Sequence, residues 1–168
     1  MHIQTNSSYR RTNNMEYMSQ EGYDKLVAEL HQLETVDLPR VKEAIADARA
    51  MGDLSENFEY HAAKREQARI LGRIRFKQKV LAYARVIDKS KLDRDCVHLL
   101  SKVKMTNLNN GTHTAFTITS AHEANVREAK IPVNSPIAQA LLNKRVGDIV
   151  EVNVPAGLLK LRIDSILI

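Results

Sequence analysis

Apolar positions in the first half of the chain recur at intervals of three and four. Leu26, Leu30, Leu33 and Val36 form one such series, and Val41, Ile45 and Ala48 resume it beyond Pro39. This is the spacing of one face of an α-helix. Ser19, with Glu21 and Gly22 close behind, supplies a start signal. Pro39 lacks an N–H and crowds the turn before it, which predicts a bend there, with Asp37 recapping the helix on the far side. After Gly52, a second series runs through Ala63, Gln67, Ile70, Ile74, Leu81 and Ala84, widened by Leu71, Val80 and Ile87. Only a few residues around Met51, Gly52, Asp53 and Leu54 separate the two stretches, so they must run antiparallel as a helical hairpin. Two arms of about 30 residues, at ~1.5 Å rise per residue, make a rod about 45 Å long.

Past residue 90 the period changes. Residues 97–100, 103–108 and 112–119 are short runs rich in β-branched side chains, and Asn109-Asn110-Gly111 supplies the positive-φ residues of a hairpin turn. Ser135-Pro136 reads as the cap and first position of a short helix over 137–144. Turns at Gly147-Asp148 and Pro155-Ala156-Gly157 lead into strands over 149–154 and 158–168. The expected fold class is therefore α+β: an N-terminal antiparallel α-helical coiled-coil hairpin over 15–90, then a small, mostly antiparallel sheet domain with one helix over 91–168. Residues 1–14 are expected to be an additional, disordered segment.

Composition narrows the function classes. With 43% hydrophobic and 27% charged residues, the 168-residue chain is built to fold. No apolar run approaches the roughly 20 residues that a bilayer crossing needs. The single cysteine, Cys96, excludes an internal disulfide and a cysteine-cluster zinc site, and a reducing cytoplasm is the expected setting. The net charge of +5 suits a polyanionic partner. Its distribution is uneven: residues 61–89 carry nine Lys or Arg against Glu66 and Asp88, whereas residues 47–59 carry Asp47, Asp53, Glu56 and Glu59 against Arg49. The hairpin is thus a basic stem with an acidic tip.

Two readings of the tip stand side by side. Asp53 and Glu56, three apart, have the spacing of a capping box, in which an aspartate and a glutamate satisfy backbone N–H groups at a helix start. The same spacing at a turn lets two carboxylates face one hard cation. Mg²⁺ commonly takes one or two protein carboxylates, and a partner supplying further carboxylates and a phosphate would complete a two-metal site for phosphodiester hydrolysis. Lys64, Arg65 and Arg69 on the stem form either a solvated face or contacts to the phosphates of a nearby strand. The second half offers little chemistry. His98, His113 and His122 lack metal-like spacing, Cys96 is expected to be buried packing, and Phe116 is the one aromatic past residue 90. That half reads as a docking module.

Gly52-Asp53-Leu54-Ser55-Glu56-Asn57, continued by Glu59-Tyr60-His61-Ala62-Ala63-Lys64, resembles the tip of the Gre family of bacterial transcription elongation (transcript-cleavage) factors, GreA type. Ala44-Ile45-Ala46-Asp47-Ala48-Arg49, Asn134-Ser135-Pro136-Ile137-Ala138 and Val154-Pro155-Ala156-Gly157 agree with it. The resemblance implies a C-terminal domain like that of FK506-binding proteins, docked at the secondary channel of bacterial RNA polymerase while the hairpin reaches inward. It implies that Asp53 and Glu56 help hold a Mg²⁺ shared with the polymerase and orient the attacking water. The 3′ end of backtracked RNA is then cut. It assigns RNA contact to Lys64, Arg65 and Arg49, and polymerase contact to Asn134, Ser135 and Pro136. It further implies a cytoplasmic monomer that is not itself an enzyme, with no cofactor in isolation and no membrane partner. A Gre-like inhibitor that plugs the channel without cleavage is the alternative, opposed by the intact Asp53–Asn57 motif. A prolyl isomerase is opposed by the lack of aromatics.

Overall fold

The computed structural model describes residues 15–52 and 56–168. The expectation for residues 1–14 lies outside them. The chain divides into two compact units, one built on Tyr23–Ala84 and the other on Tyr17–Gly22 with Arg85–Ile168.

The first unit is helical. Helix α1 (Gln20–Gln32) leads through a π-helical segment (Leu33–Asp37) into α2 (Leu38–Ala50), and α3 (Phe58–Tyr83) returns alongside. Paired side chains give the direction. Asn57 meets Ala48, Glu66 meets Arg40 and Lys77 meets Glu29, so numbers rise on one arm as they fall on the other. Leu33, Val41 and Ile45 pack against Ala63, Ile70 and Ile74, with Leu30, Leu38 and Tyr60 at the margins.

The π-helical turn is where Pro39 is accommodated. Leu38 donates its N–H to the carbonyl of Leu33, five residues back. The extra residue widens the turn before a proline that would otherwise crowd it. Asp37 stays helical at φ −69° and makes no side-chain cap bond, so the expected recapping does not occur. The inserted residue also rotates the apolar stripe. Leu33 and Val41 are eight apart, two helical turns plus one residue, and the intervening inward position is Leu38. Val36, expected in the stripe, is 49% exposed. At the other end, α3 stops at Tyr83 because Ala84 is extended (ψ 139°), so Ala84 and Ile87 leave the helical stripe and Ala84–Val86 forms strand β2 beside β1 (Glu16–Met18).

The second unit is a five-stranded sheet. Strands β3 (Lys102–Asn107), β4 (His113–Thr119), β5 (Lys130–Pro132), β6 (Ile149–Val154) and β7 (Gly157–Leu167) lie in the order β5-β4-β3-β7-β6. All pairings are antiparallel except β4 with β5, which is parallel. Period-two residues Val103 and Met105, Val150 and Val152, and Leu161 and Ile163 fill the core with Ile118, and Ala138 and Leu141 of α4 (Pro136–Leu141) join them. The turn before β4 places Gly111 at φ +73°, where its N–H reaches the Asn107 carbonyl at 2.8 Å.

Two expectations for this unit need correction. Val97, Leu99 and Leu100 are buried, but 97–100 form no strand: Leu100 sits at φ +73°, and Val97 pairs with the backbone of Asn143 and Lys144 instead. The helix after Ser135 ends at Leu141, three residues short, with Asn143 turning out at φ +63°.

Ser19 begins α1 as its spacing implies, with Oγ accepting from the Gly22 N–H at 2.9 Å. In a capping box the third helical residue would return a carboxylate to the cap N–H. Here that residue is glycine, and Glu123 performs the task from 104 positions away. It accepts from the Ser19 N–H at 3.1 Å, from the Ser19 hydroxyl, and from the Ser120 hydroxyl at 2.9 Å. A Cβ on Gly22 would lie 2.4 Å from the Glu123 carboxyl carbon. Helix propensity alone makes Gly→Ala stabilising by about 1 kcal/mol. Because the carboxylate is pinned, Gly22→Ala is instead expected to destabilise by about 1–3 kcal/mol. In a Glu123→Ala background the same change should become neutral or stabilising. Urea unfolding of the four proteins in this cycle measures both, and equal effects in the two backgrounds would contradict the close-approach account.

Candidate functional site

The acidic tip is organised by Asn57. Helix α2 ends with orphan carbonyls and α3 begins with orphan N–H groups, and the connection between them is short. Asn57 stands before α3 in an extended conformation (φ −80°, ψ 98°), the usual geometry of an N-cap. Its Oδ1 accepts from the Tyr60 N–H at 3.0 Å, and its Nδ2 donates to the Ala48 carbonyl at 2.9 Å. One amide therefore closes both helix ends. The capping-box reading of the tip is displaced: α3 starts at Phe58, and its cap is Asn57, not Asp53.

Glu56 lies immediately before this cap, exposed, and its carboxylate makes no hydrogen bond or ion pair with any described residue. Asp53, Leu54 and Ser55 lie outside the described residues. Gly52 leads into them at φ +117°, a backbone that side-chain-bearing residues rarely adopt.

The basic residues expected at the tip are held by its aromatics. The Arg49 guanidinium lies 5.7 Å from the Tyr60 ring centroid, and that of Arg65 lies 5.9 Å from the Phe58 centroid. At exposed sites such contacts contribute about 0.5–1 kcal/mol. They keep two cations beside the acidic turn without neutralising them. Lys64 is exposed and donates to Gln67 at 3.1 Å. Further along the stem two of the expected basic-face features change. Arg40 of α2 pairs with Glu66 at 2.8 Å, removing one of the two acids counted against the basic arm. Lys77, 12% exposed, is not on the outer face at all but pairs with Glu29. Arg69, Arg73, Arg75 and Lys79 remain exposed.

In the second unit, Asn134 and Pro136 are exposed, while Ser135 is half-buried and its Oγ accepts from the Ala138 N–H at 3.2 Å, capping α4. Cys96 and His98 also differ from expectation. Cys96 is half-buried in an isolated bridge with Arg145, and its Sγ lies 3.2 Å from His98 Nε2 and 3.4 Å from Asp93 Oδ2. Burial and the hydrogen bond to Asp93 push the thiol upward from its ordinary value. Asn57 as a double cap and Lys77 as an interior charge were missed by sequence reasoning. The asparagine immediately before the helical period was the available signal for the first.

Comparison with known proteins fits this architecture. Residues 16–86 match the family described as Transcription elongation factor, N-terminal, and residues 92–167 match Transcription elongation factor, GreA/GreB, C-term. The chain belongs to the GreA/GreB transcription elongation factor family. It is 43% identical over 150 residues to Transcription elongation factor GreA of Nitrosococcus oceani, covering 89% of this chain and 95% of that one. It is 46% identical over 147 residues to the protein of that name from Flavobacterium johnsoniae, covering 88% and 93%. A crystal structure of GreA factor homolog 1 of Thermus thermophilus aligns over 92% of this chain and 99% of its own at 26% identity, with a TM-score of 0.44.

Two expectations follow from the geometry. Asn57→Ala removes an N-cap and a C-terminal acceptor's partner together, and should cost about 1–2 kcal/mol in urea unfolding. Asn57→Asp, which keeps the cap and loses only the donor, should cost less, and an equal loss would contradict the double role. The hydrogen bond from Lys77 holds the Glu29 carboxyl below the usual glutamate value, against an opposing effect of burial. A lowered folded pKa contributes stability above the unfolded value that is lost as pH falls through the folded one. Glu29→Gln should therefore flatten the fall in stability between about pH 5 and pH 3, and parallel curves for the two proteins would exclude that contribution.

Proposed function

We infer that this elongation factor acts on bacterial RNA polymerase from within its secondary channel and stimulates cleavage of the 3′ end of backtracked RNA. The observation that carries the reading is the exposed Glu56 carboxylate at the tip, beside a helix cap that Asn57 provides without it. Because capping does not consume this acid, it is available to an incoming partner. The motif that continues back to Asp53, together with relatives named Transcription elongation factor GreA, supports the same reading.

In this account the protein is not a free-standing enzyme. Asp53 and Glu56 would hold a Mg²⁺ jointly with the polymerase's carboxylates, and that ion would supply charge stabilisation to the phosphodiester and lower the pKa of a bound water. Asp53 and Glu56 are this chain's share of the ligands and orient the attacking water. Lys64, Arg65 and Arg49 sit within the tip's first turns and contact RNA phosphates. Fixing the two arginines over Tyr60 and Phe58 limits the entropy lost when phosphate arrives. Asn134 and Pro136, exposed beside the α4 cap, contact the polymerase, and Ser135 holds that loop in shape. The protein works as a cytoplasmic monomer. Among the described residues no helix is long and apolar enough to cross a membrane.

The test is a stalled, backtracked elongation complex with Mg²⁺ and labelled RNA. The wild-type chain should release short 3′ fragments. Asp53→Asn and Glu56→Gln should slow that release on the order of 100-fold, the scale of losing one preorganised electrostatic contact to the transition state, while binding to the polymerase is retained. Normal cleavage by Asp53→Asn would refute the metal-holding role. Slowed run-off transcription with no cleavage by the wild type would point to the inhibitor reading.

A further inference from the structure

We propose that Asp93, Cys96 and His98 form a zinc-binding site in the second unit, separate from the acidic tip. The three side chains each present one ligand atom, and these atoms lie within 4.8 Å of one another. The Cys96 Sγ is 3.4 Å from Asp93 Oδ2 and 3.2 Å from His98 Nε2. Zinc bonds of about 2.3 Å to sulfur and about 2.0–2.2 Å to nitrogen or oxygen, at tetrahedral angles, place such donors about 3.5–3.6 Å apart. Both distances from the sulfur already stand within a few tenths of an ångström of that spacing.

The local backbone holds them there. The Asp95 N–H donates to Asp93 Oδ1 at 2.9 Å, an Asx turn that leaves Oδ2 facing the thiol. The bridge to Arg145 fixes the backbone at Cys96. The His98 N–H donates to Ser101 Oγ at 2.9 Å, and the Ser101 N–H returns to the His98 carbonyl at 3.1 Å. Leu100, at φ +73°, closes this turn and stops the segment from continuing as a strand. Cys96 and His98, two apart in the chain, share one side, and the Asx turn at Asp93 brings the carboxylate to them.

The donor set selects the ion. A thiolate, an imidazole and a carboxylate suit Zn²⁺ better than the all-oxygen preference of Mg²⁺. Three protein ligands, with Asp93 exposed and Cys96 and His98 half-buried, leave the fourth position to water. Asp95 adds a negative charge near the thiol and Arg145 a positive one.

The full-length protein, reduced and at neutral pH, is titrated with Co²⁺ as a spectroscopic stand-in and then with Zn²⁺. One Co²⁺ per chain should bind with the near-ultraviolet band of a sulfur ligand and the visible bands of tetrahedral cobalt, and Zn²⁺ should displace it. Cys96→Ser should abolish the sulfur band. His98→Ala should weaken binding by at least about 10-fold, with circular dichroism showing each variant folded. If Cys96→Ser fails to fold, His98→Ala and Asp93→Asn carry the test. Absence of a sulfur band in the wild type, or affinity unchanged in the folded variants, overturns the proposal.

Discussion

The tip of the hairpin depends on one side-chain amide. Where two antiparallel helices are joined by a short connection, the last carbonyls of one and the first N–H groups of the other crowd the same place without intrahelical partners. A carboxylate can satisfy the donors but not the carbonyl, and a hydroxyl is too short to reach both. The Asn57 amide has a donor and an acceptor on a single planar group, and it uses one on each helix. This tie fixes how α2 ends relative to where α3 begins, and the Arg49–Tyr60 contact adds a second link between the two arms. The consequence for chemistry is indirect but large. With the backbone satisfied by a neutral group, the acids of the connection need not serve as caps.

The hairpin was legible because burial in the first unit follows a simple period. Ile70, Ile74 and Ala63 meet Leu33, Val41 and Ile45 as the three-four rhythm requires. Its exceptions share one cause. A period count assumes that each residue advances the helix by the same angle, and the π-helical turn before Pro39 inserts one that does not. Val36 therefore falls outside and Leu38 inside, although nothing in their own chemistry distinguishes them. The sheet strands were equally legible where alternation was clean, as at Val150 and Val152. They were illegible at residues 97–100, where β-branched and apolar composition mimics a strand but Leu100 adopts a left-handed backbone.

Charge was harder to read than hydrophobicity. A count of nine basic residues on one arm treats every lysine and arginine as outward-facing. Lys77 shows why that fails: it occupies an inward position of the same helical stripe as Ile70 and Ile74, and its long stem lets the ammonium reach Glu29 at the edge. The acidic tip was the reverse case. Its residues were read either as exposed chemistry or as caps, and local spacing could not choose between them. That choice rests on which residue stands first in α3, a boundary that sequence patterns place only to within a few residues.

The start of α1 extends the same point to longer range. Ser19 carries the first half of a capping box, and the glutamate that completes it comes from residue 123 because the third helical position is a glycine. No window of sequence contains this motif, yet each half obeys the local rule. Gly22 has no Cβ, and that absence is what makes room for the Glu123 carboxylate against the first turn. A glycine that looks like a weak point in a helix is here the condition for its cap. The cap can form only after the segment around Ser120 and Glu123 is in place, so this helix start is ordered by a contact across 104 residues. Closing so long a loop is costly in entropy, and the helix end that depends on it should therefore form late in folding.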